Sequence, residues 1–163
     1  MNAKSAPNDG RDESSIERTD RNFTELLQEL RVAQTGVQIL FAFLLTMPFT
    51  QRFVTLDQTQ KWLYGVTVLT AAMALGLLVG PVAAHRLTFR TQRKESVLML
   101  SHVMTLAGMC FMGLAVTLAV SLAIWAALGG TAAVLATVTV AVTFVTFWLA
   151  LPLWVRHKTP TPQ

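Results

Sequence analysis

Residues 97–128, VLMLSHVMTLAGMCFMGLAVTLAVSLAIWAAL, form a stretch of 32 residues without Asp, Glu, Lys or Arg. Crossing the hydrocarbon core of a bilayer takes about 20 apolar residues in a helix, so the stretch is long enough to span it. A surface helix of a soluble domain would instead carry a charged face along one side. The stretch therefore predicts a transmembrane helix.

Three further segments have a similar composition. Residues 62–84 and 131–155 also lack acids, Lys and Arg. Residues 33–49 carry no charge and are mostly apolar, with two glutamines and two threonines. Only 13% of the 163 residues are charged, whereas soluble domains average about 25%. We therefore expect an all-α integral membrane protein with four transmembrane helices. The expected spans are residues 33–49, 62–84, 99–126 and 131–153.

The segments outside these spans divide the chain further. We expect a disordered polar tail over residues 1–20, a transmembrane domain over 21–155 and a short second tail over 156–163. From Arg21 onward, apolar residues recur at helical spacing and predict an amphipathic lead-in helix before the first span. This helix either lies on the membrane surface or continues straight into the span.

The first loop contains a predicted helix start. Asp57 is followed three residues later by Gln60, the spacing of a capping box, so we expect the second long helix to begin here. Trp62 and Tyr64 follow at the position of an interfacial aromatic belt.

The 13 Lys and Arg residues are distributed unevenly about the spans. Eleven lie in the N-terminal segment, the second loop and the C-terminal tail, whereas the first loop holds only Arg52 and Lys61. Because Lys and Arg are retained on the cytoplasmic side, we expect a multi-pass plasma-membrane protein with both termini in the cytoplasm. Membrane topology thus explains the net charge of +4. We expect the chain to interact with the lipid bilayer and not with nucleic acid.

A polar stripe runs from the lead-in into the first span. At 100° per residue, five polar side chains fall on or beside one line of the helix. They are Gln28, Arg31, Gln34, Thr35 and Gln38. Three interpretations remain open: hydrogen bonds between helices, a water-filled vestibule or ligand site with Glu25 and Glu29 at its inner mouth, or an interfacial helix whose polar groups stay hydrated.

A face of small residues occurs in the second span, where four of them are spaced four apart. They are Ala72, Gly76, Gly80 and Ala84. Small residues let a neighbouring helix approach closely, either within the same chain or in a dimer.

Groups able to do chemistry are sparse. His102 lies early in the third span, where it would act as a proton-sensing group or as a packing residue. The single cysteine, Cys110, lies in mid-span, and no acid or cysteine is spaced to form a metal site with a histidine. No catalytic motif is visible, so we expect neither an enzyme nor a bound cofactor or metal.

The segments FTELLQELRVAQTGVQILFAFLLTMPF, LDQTQKWLYGVTVL and GPVAAHRLTFR resemble an uncharacterised family of small four-span bacterial membrane proteins, found mostly in high-GC Gram-positive bacteria. The resemblance covers about residues 23–152 and implies a four-helix membrane fold without an established activity. Some relatives carry the automatic label of sodium:proton antiporter. Such antiporters typically use carboxylates near the membrane midplane, whereas the acids near a span here lie at its ends. They are Glu25, Glu29, Asp57 and Glu95.

Two functions follow as hypotheses. The first is a non-enzymatic accessory or interaction protein, whose glutamine stripe and small-residue face contact a second copy or an unidentified membrane protein. The alternative is an oligomeric channel or proton-coupled cation transporter whose path uses the polar stripe of the first span.

Overall fold

The computed structural model describes residues 15–88, 94–151 and 153–154, and these are helical except for short connections. The described residues form five α-helices: α1 (Ser15–Thr46), α2 (Gln51–Val54), α3 (Gln58–Thr88), α4 (Lys94–Leu128) and α5 (Gly130–Val145). A single 3₁₀ turn, Met47–Phe49, follows α1, and a π-helical turn, Thr146–Ala150, extends α5. The described residues contain no strand, which confirms the all-α class.

Four of these helices are long and apolar enough to cross a membrane. The apolar segments are Leu30–Phe49, Gln58–Ala84, Met99–Leu128 and Gly130–Trp148. The prediction of a four-span membrane fold is therefore confirmed, and the chain is a multi-pass membrane protein.

Helix α1 joins the lead-in and the first span without a break. Its 32 residues measure about 48 Å at 1.5 Å per residue, more than the roughly 30 Å of a hydrocarbon core. Residues 15–20, which composition assigned to a disordered tail, are helical and belong to α1. The chain has no proline between Ser15 and Pro48, and α1 ends two residues before that proline.

The four long helices form an open row in the order α1, α3, α4, α5. The most extensive contact joins α3 to α4, followed by α4 to α5 and α1 to α3, while α1 reaches α4 only marginally. Among the described residues, α5 makes no extensive contact with α1 or α3. We call the two ends of the row the Pro48 end, which holds α2 and Gly129, and the Pro81 end opposite.

The α3–α4 contact is close because a glycine of α4 faces the backbone of α3. A Cβ built on Gly108 would lie 2.8 Å from Leu78 Cγ and 3.1 Å from the Leu78 backbone nitrogen. Leu78 is fully buried and packs in one cluster with Ala74 of α3 and with Leu30 and Val37 of α1. Leu78 of α3 therefore contacts both neighbouring helices, α1 and α4.

Side chains close the helix ends at the Pro48 end. The backbone N–H of Gln60 donates to Asp57 Oδ1 at 2.8 Å, and the backbone N–H of Asp57 donates to Gln60 Oε1 at 3.0 Å. These two bonds confirm the predicted capping box at the start of α3. Arg52 Nη2 donates to the carbonyl oxygen of Ala126 in the last turn of α4 at 2.5 Å. Both interactions satisfy backbone groups that a helix end leaves unpaired.

Candidate functional site

Helix α1 buries one narrow face against the row. Leu30, Val37 and Leu44 recur every seven residues and are only 2%, 1% and 5% exposed. This spacing is that of a helix packed along the length of a partner at a shallow angle. The predicted polar stripe runs beside this face, so the contact with α3 includes only its nearest member.

That member is Gln34, which is half-buried and hydrogen-bonded to α3. Its Nε2 donates to the carbonyl oxygen of Leu78 at 2.6 Å. Leu78 lies three residues before Pro81, a buried proline inside α3. Because proline lacks an N–H and its ring crowds the preceding turn, carbonyls at this point are open to donors from neighbouring helices. Of the three interpretations of the stripe, the structure thus supports a hydrogen bond between helices for Gln34.

Tyr64 makes an equivalent bond near the Pro48 end, which was not foreseen from the sequence. Its Oη donates to the carbonyl oxygen of Leu44 at 3.0 Å, and its ring packs edge-on against Phe53 with centroids 5.0 Å apart. The helical donor for Leu44 would be the amide four residues on, but that residue is Pro48. At this end of the α1–α3 contact, proline thus leaves a carbonyl without its helical donor, and a side chain of the other helix binds it.

The rest of the polar stripe faces away from the row. We call its exposed residues the α1 outer stripe; they are Gln28, Arg31, Thr35 and Gln38. The Thr35 hydroxyl donates to the Arg31 carbonyl oxygen of its own helix at 2.9 Å, so it is already satisfied. Glu25 and Glu29, the predicted inner mouth, are helical residues whose side chains lie outside the described ones.

Gln38 is the distinctive member of the α1 outer stripe. Its side chain is exposed and makes no hydrogen bond to any part of the chain that the structure describes. It lies eight residues into the Leu30–Phe49 span, about 12 Å from the start, close to the middle of a bilayer. An amide that both donates and accepts hydrogen bonds is therefore presented toward lipid at mid-depth.

The small-residue face of α3 is divided between two environments. Gly80 faces α4, where a Cβ would collide with the end of the Met104 side chain, whereas a Cβ on Gly76 would meet no atom within 4 Å. Ala72 and Ala84 are half-buried. Among the described glycines, an added Cβ meets the backbone of a neighbouring helix at Gly108, and four-residue spacing could not reveal this because no small-residue series of α4 singles it out.

His102 is exposed near the Pro81 end of α4, and its role as a proton-sensing group stays a prediction. The preceding Ser101 is fully buried, and its Oγ has no partner among the described residues. A search of the described residues finds no group of three or more His, Cys, Asp or Glu side chains arranged to hold a metal ion.

Gln34→Leu is expected to lower the free energy of unfolding by about 0.5–1.5 kcal/mol, because it removes a hydrogen bond between α1 and α3. Gln38→Leu makes the same chemical change one turn later, where no internal bond exists, and serves as the matched control. Equilibrium unfolding in detergent, at a protein-to-micelle ratio low enough to keep the chains separate, measures both. Equal losses in the two variants would contradict this assignment of Gln34.

Comparison with known proteins places the chain in a family. The model of a family of unknown function, DUF6328, matches residues 12–152, which include all four apolar spans and the α1 outer stripe. No curated protein and no solved structure matches the chain. The match covers most of the 163 residues, and the chain therefore belongs to the DUF6328 family of unknown function.

Proposed function

We propose that this protein acts without catalysis, as an accessory protein that binds other helices inside the membrane through the α1 outer stripe. The observation that carries the proposal is the contrast between Gln34 and Gln38. Gln34 has a partner on α3, whereas Gln38 is exposed at mid-span without one in the described chain. A polar group left unpaired in hydrocarbon costs several kcal/mol, and a neighbouring polar helix removes that cost.

The membrane and its sidedness are part of the proposal. Eleven of the 13 Lys and Arg residues lie outside the first loop, which supports a plasma-membrane protein with both termini in the cytoplasm. In that orientation the Pro81 end of the row faces the cytoplasm. Arg31, at the start of the first span, then lies at the cytoplasmic headgroups, where anionic lipids favour a cation.

The interior of the row supports binding rather than transport. The buried Ser101 hydroxyl has no partner among the described residues. Four other buried hydroxyls each donate to the carbonyl oxygen four residues earlier in their own helix. They are Thr67, Thr70, Thr105 and Thr117. Hydroxyls bonded in this way are accommodated inside an apolar bundle without water beside them. An internal polar path is therefore not supported within the described part of a single chain.

The second candidate function is an oligomeric channel or proton-coupled cation transporter. The observation in its favour is the same exposed stripe, because Gln38, Thr35 and Arg31 would line a shared central path if several copies surrounded it. Polar rings of this kind select ions in known channels. This candidate therefore differs from the first in predicting a flux.

Purified protein reconstituted in liposomes is expected to carry no proton or cation flux above that of protein-free liposomes. The reason is that the described helices pack without a polar path and the α1 outer stripe serves for contact. A pH-sensitive dye inside vesicles with imposed proton, sodium or potassium gradients measures this, with an added ionophore as the positive control. A charge-selective flux that Glu29→Gln or Gln38→Leu abolishes would overturn the accessory function in favour of the transporter.

A further inference from the structure

The side chain of Gln38 is complementary to itself. Its amide has one carbonyl acceptor and two N–H donors, so two such groups facing each other can each donate to the other's oxygen. Copies of one membrane protein share the same orientation and the same depth. A two-fold axis along the membrane normal therefore brings Gln38 of one copy level with Gln38 of another, in a parallel and isologous contact.

The other exposed polar groups of the spans are poorer complements. Thr139 and Thr143 of α5 donate to carbonyl oxygens of their own helix at 2.9 Å each. His102 lies three residues into its span, about 4–5 Å from the Pro81 end, whereas Gln38 lies about 12 Å from that end. Within the described residues, the group that matches Gln38 in both chemistry and depth is thus Gln38 of another copy.

The surroundings of Gln38 also allow a second helix to come close. At 100° per residue, Thr35, Gln38 and Ala42 lie within about 60° of one another, and all three are exposed. Thr35 and Ala42 are small, so a facing backbone can approach until the Gln38 amides meet. The larger exposed side chain of Phe43 lies farther round the helix, whereas the exposed Leu45 lies about 20° from Gln38, two turns along, where it would pack against the second helix.

The position of α1 in the row leaves room for such a contact. Helix α1 is an end member of the row and is fastened to α3 through Leu30, Val37 and Leu44 on another side. Arg31 follows the same line but lies only one residue into the span, so its long side chain reaches the headgroups. The Arg31 charges of two paired copies can therefore point away from each other.

We propose that the α1 outer stripe binds a second copy of this chain, with the two α1 helices parallel and paired through reciprocal Gln38 hydrogen bonds. This inference rests on the proposed function and names the partner. Breaking the pair leaves two mid-membrane amides without partners. Gln38→Leu is therefore expected to weaken dimerisation in lipid about tenfold, the upper range measured for polar contacts between membrane helices.

The first experiment measures association of the full chain in phospholipid vesicles by energy transfer between donor- and acceptor-labelled copies over a series of lipid dilutions. Gln34→Leu is the matched control, because it removes the internal bond to α3 and leaves the α1 outer stripe intact. The expected result is a dimer dissociation constant about tenfold higher for Gln38→Leu and unchanged for Gln34→Leu. Equal shifts in the two variants, or no shift in either, would overturn the pairing through Gln38.

Disulfide trapping tests the geometry on the same vesicles. In a Cys110→Ser background, Ala42→Cys places a thiol on the proposed contact and Phe43→Cys places one about 100° away on the same turn. Mild oxidation is expected to cross-link the first variant and not the second, and Gln38→Leu should reduce the cross-link. Efficient cross-linking of the Phe43→Cys variant alone would overturn the proposed face.

Failure of this inference is distinguishable from failure of the proposed function. If the pure protein stays monomeric at every lipid dilution, the second copy is not the partner. Native gel electrophoresis of solubilised cell membranes then decides the broader proposal. A larger complex that is lost in Gln38→Leu would support the accessory function with a different membrane protein as partner. A monomer in cell membranes as well would reject both the pairing with a second copy and the accessory function.

Discussion

Gly108→Ala is expected to lower the free energy of unfolding by about 1–3 kcal/mol, although it adds only one methyl group. The added Cβ would lie 2.8 Å from Leu78 Cγ and 3.1 Å from the backbone nitrogen of the same residue. A side chain can turn aside, but a helix backbone cannot, so α3 and α4 would have to separate at Gly108. Equilibrium unfolding in mixed detergent micelles measures the loss.

Gly76→Ala is the matched control for this change. It inserts the same methyl group into the middle of a span, but a Cβ there meets no atom within 4 Å. Because alanine has the higher helix propensity, we expect no loss of stability at Gly76. Equal destabilisation of the two variants would show that the close approach at Gly108 does not hold the helices together.

A double-mutant cycle attributes the cost to one contact. Leu78→Ala alone is expected to cost about 2–5 kcal/mol, because it empties a fully buried site between three helices. Adding Gly108→Ala to Leu78→Ala should cost less than it does in the wild-type background, because the side-chain part of the clash is gone. A strictly additive pair would contradict direct contact between the two positions.

Gly129→Ala is the second substitution with a large expected effect, at about 1–3 kcal/mol of lost stability. Gly129 has φ +94° and ψ 172°, a region that residues with a Cβ essentially avoid. Its amide donates to the Trp125 carbonyl oxygen at 3.1 Å, and its own carbonyl accepts from the Ala133 amide at 3.2 Å. The residue thus links the end of α4 to the start of α5, so strain there affects the packing of these two helices.

The adjacent Gly130 provides a control on the same turn. It is the first residue of α5, and a Cβ there would lie 3.7 Å from Trp125 Nε1, an ordinary van der Waals distance. Gly130→Ala is therefore expected to leave the unfolding midpoint unchanged under the same conditions. Since neither position is crowded, a loss confined to Gly129 would identify backbone conformation as the cause, and equal effects would contradict it.

The attachment of α1 differs from that of the other spans. Its apolar contact with α3 is narrow, and interhelical hydrogen bonds from Gln34 and from Tyr64 lie toward opposite ends of that contact. Each uses a carbonyl next to a proline-disturbed turn. The apolar face formed by Leu30, Val37 and Leu44 fixes the rotation of α1 about its axis, and the two hydrogen bonds add to its attachment. Gln38 lies outside that apolar face and is exposed.

The sequence predicts the local features of this protein well. Charge-free stretches such as residues 97–128 indicate membrane spans, because a bilayer of fixed thickness requires about 20 apolar residues whatever their neighbours. The capping box at Asp57 and Gln60 is likewise a local pattern, and the structure confirms it. The start of α1 was placed too late, since the polar composition of residues 15–20 hid their capacity to extend a helix.

By itself, then, the sequence determined that this chain is all-helical, crosses a membrane four times and begins its second long helix at a capped residue. Only the tertiary structure decided that Gln34 faces α3 while Gln38 does not, and that Gly108 rather than Gly76 lies against the backbone of the neighbouring helix. The physical reason is that lipid tails are as apolar as leucine side chains. Hydropathy therefore distinguishes membrane from water along the chain, but it cannot distinguish the packed face of a membrane helix from its lipid face.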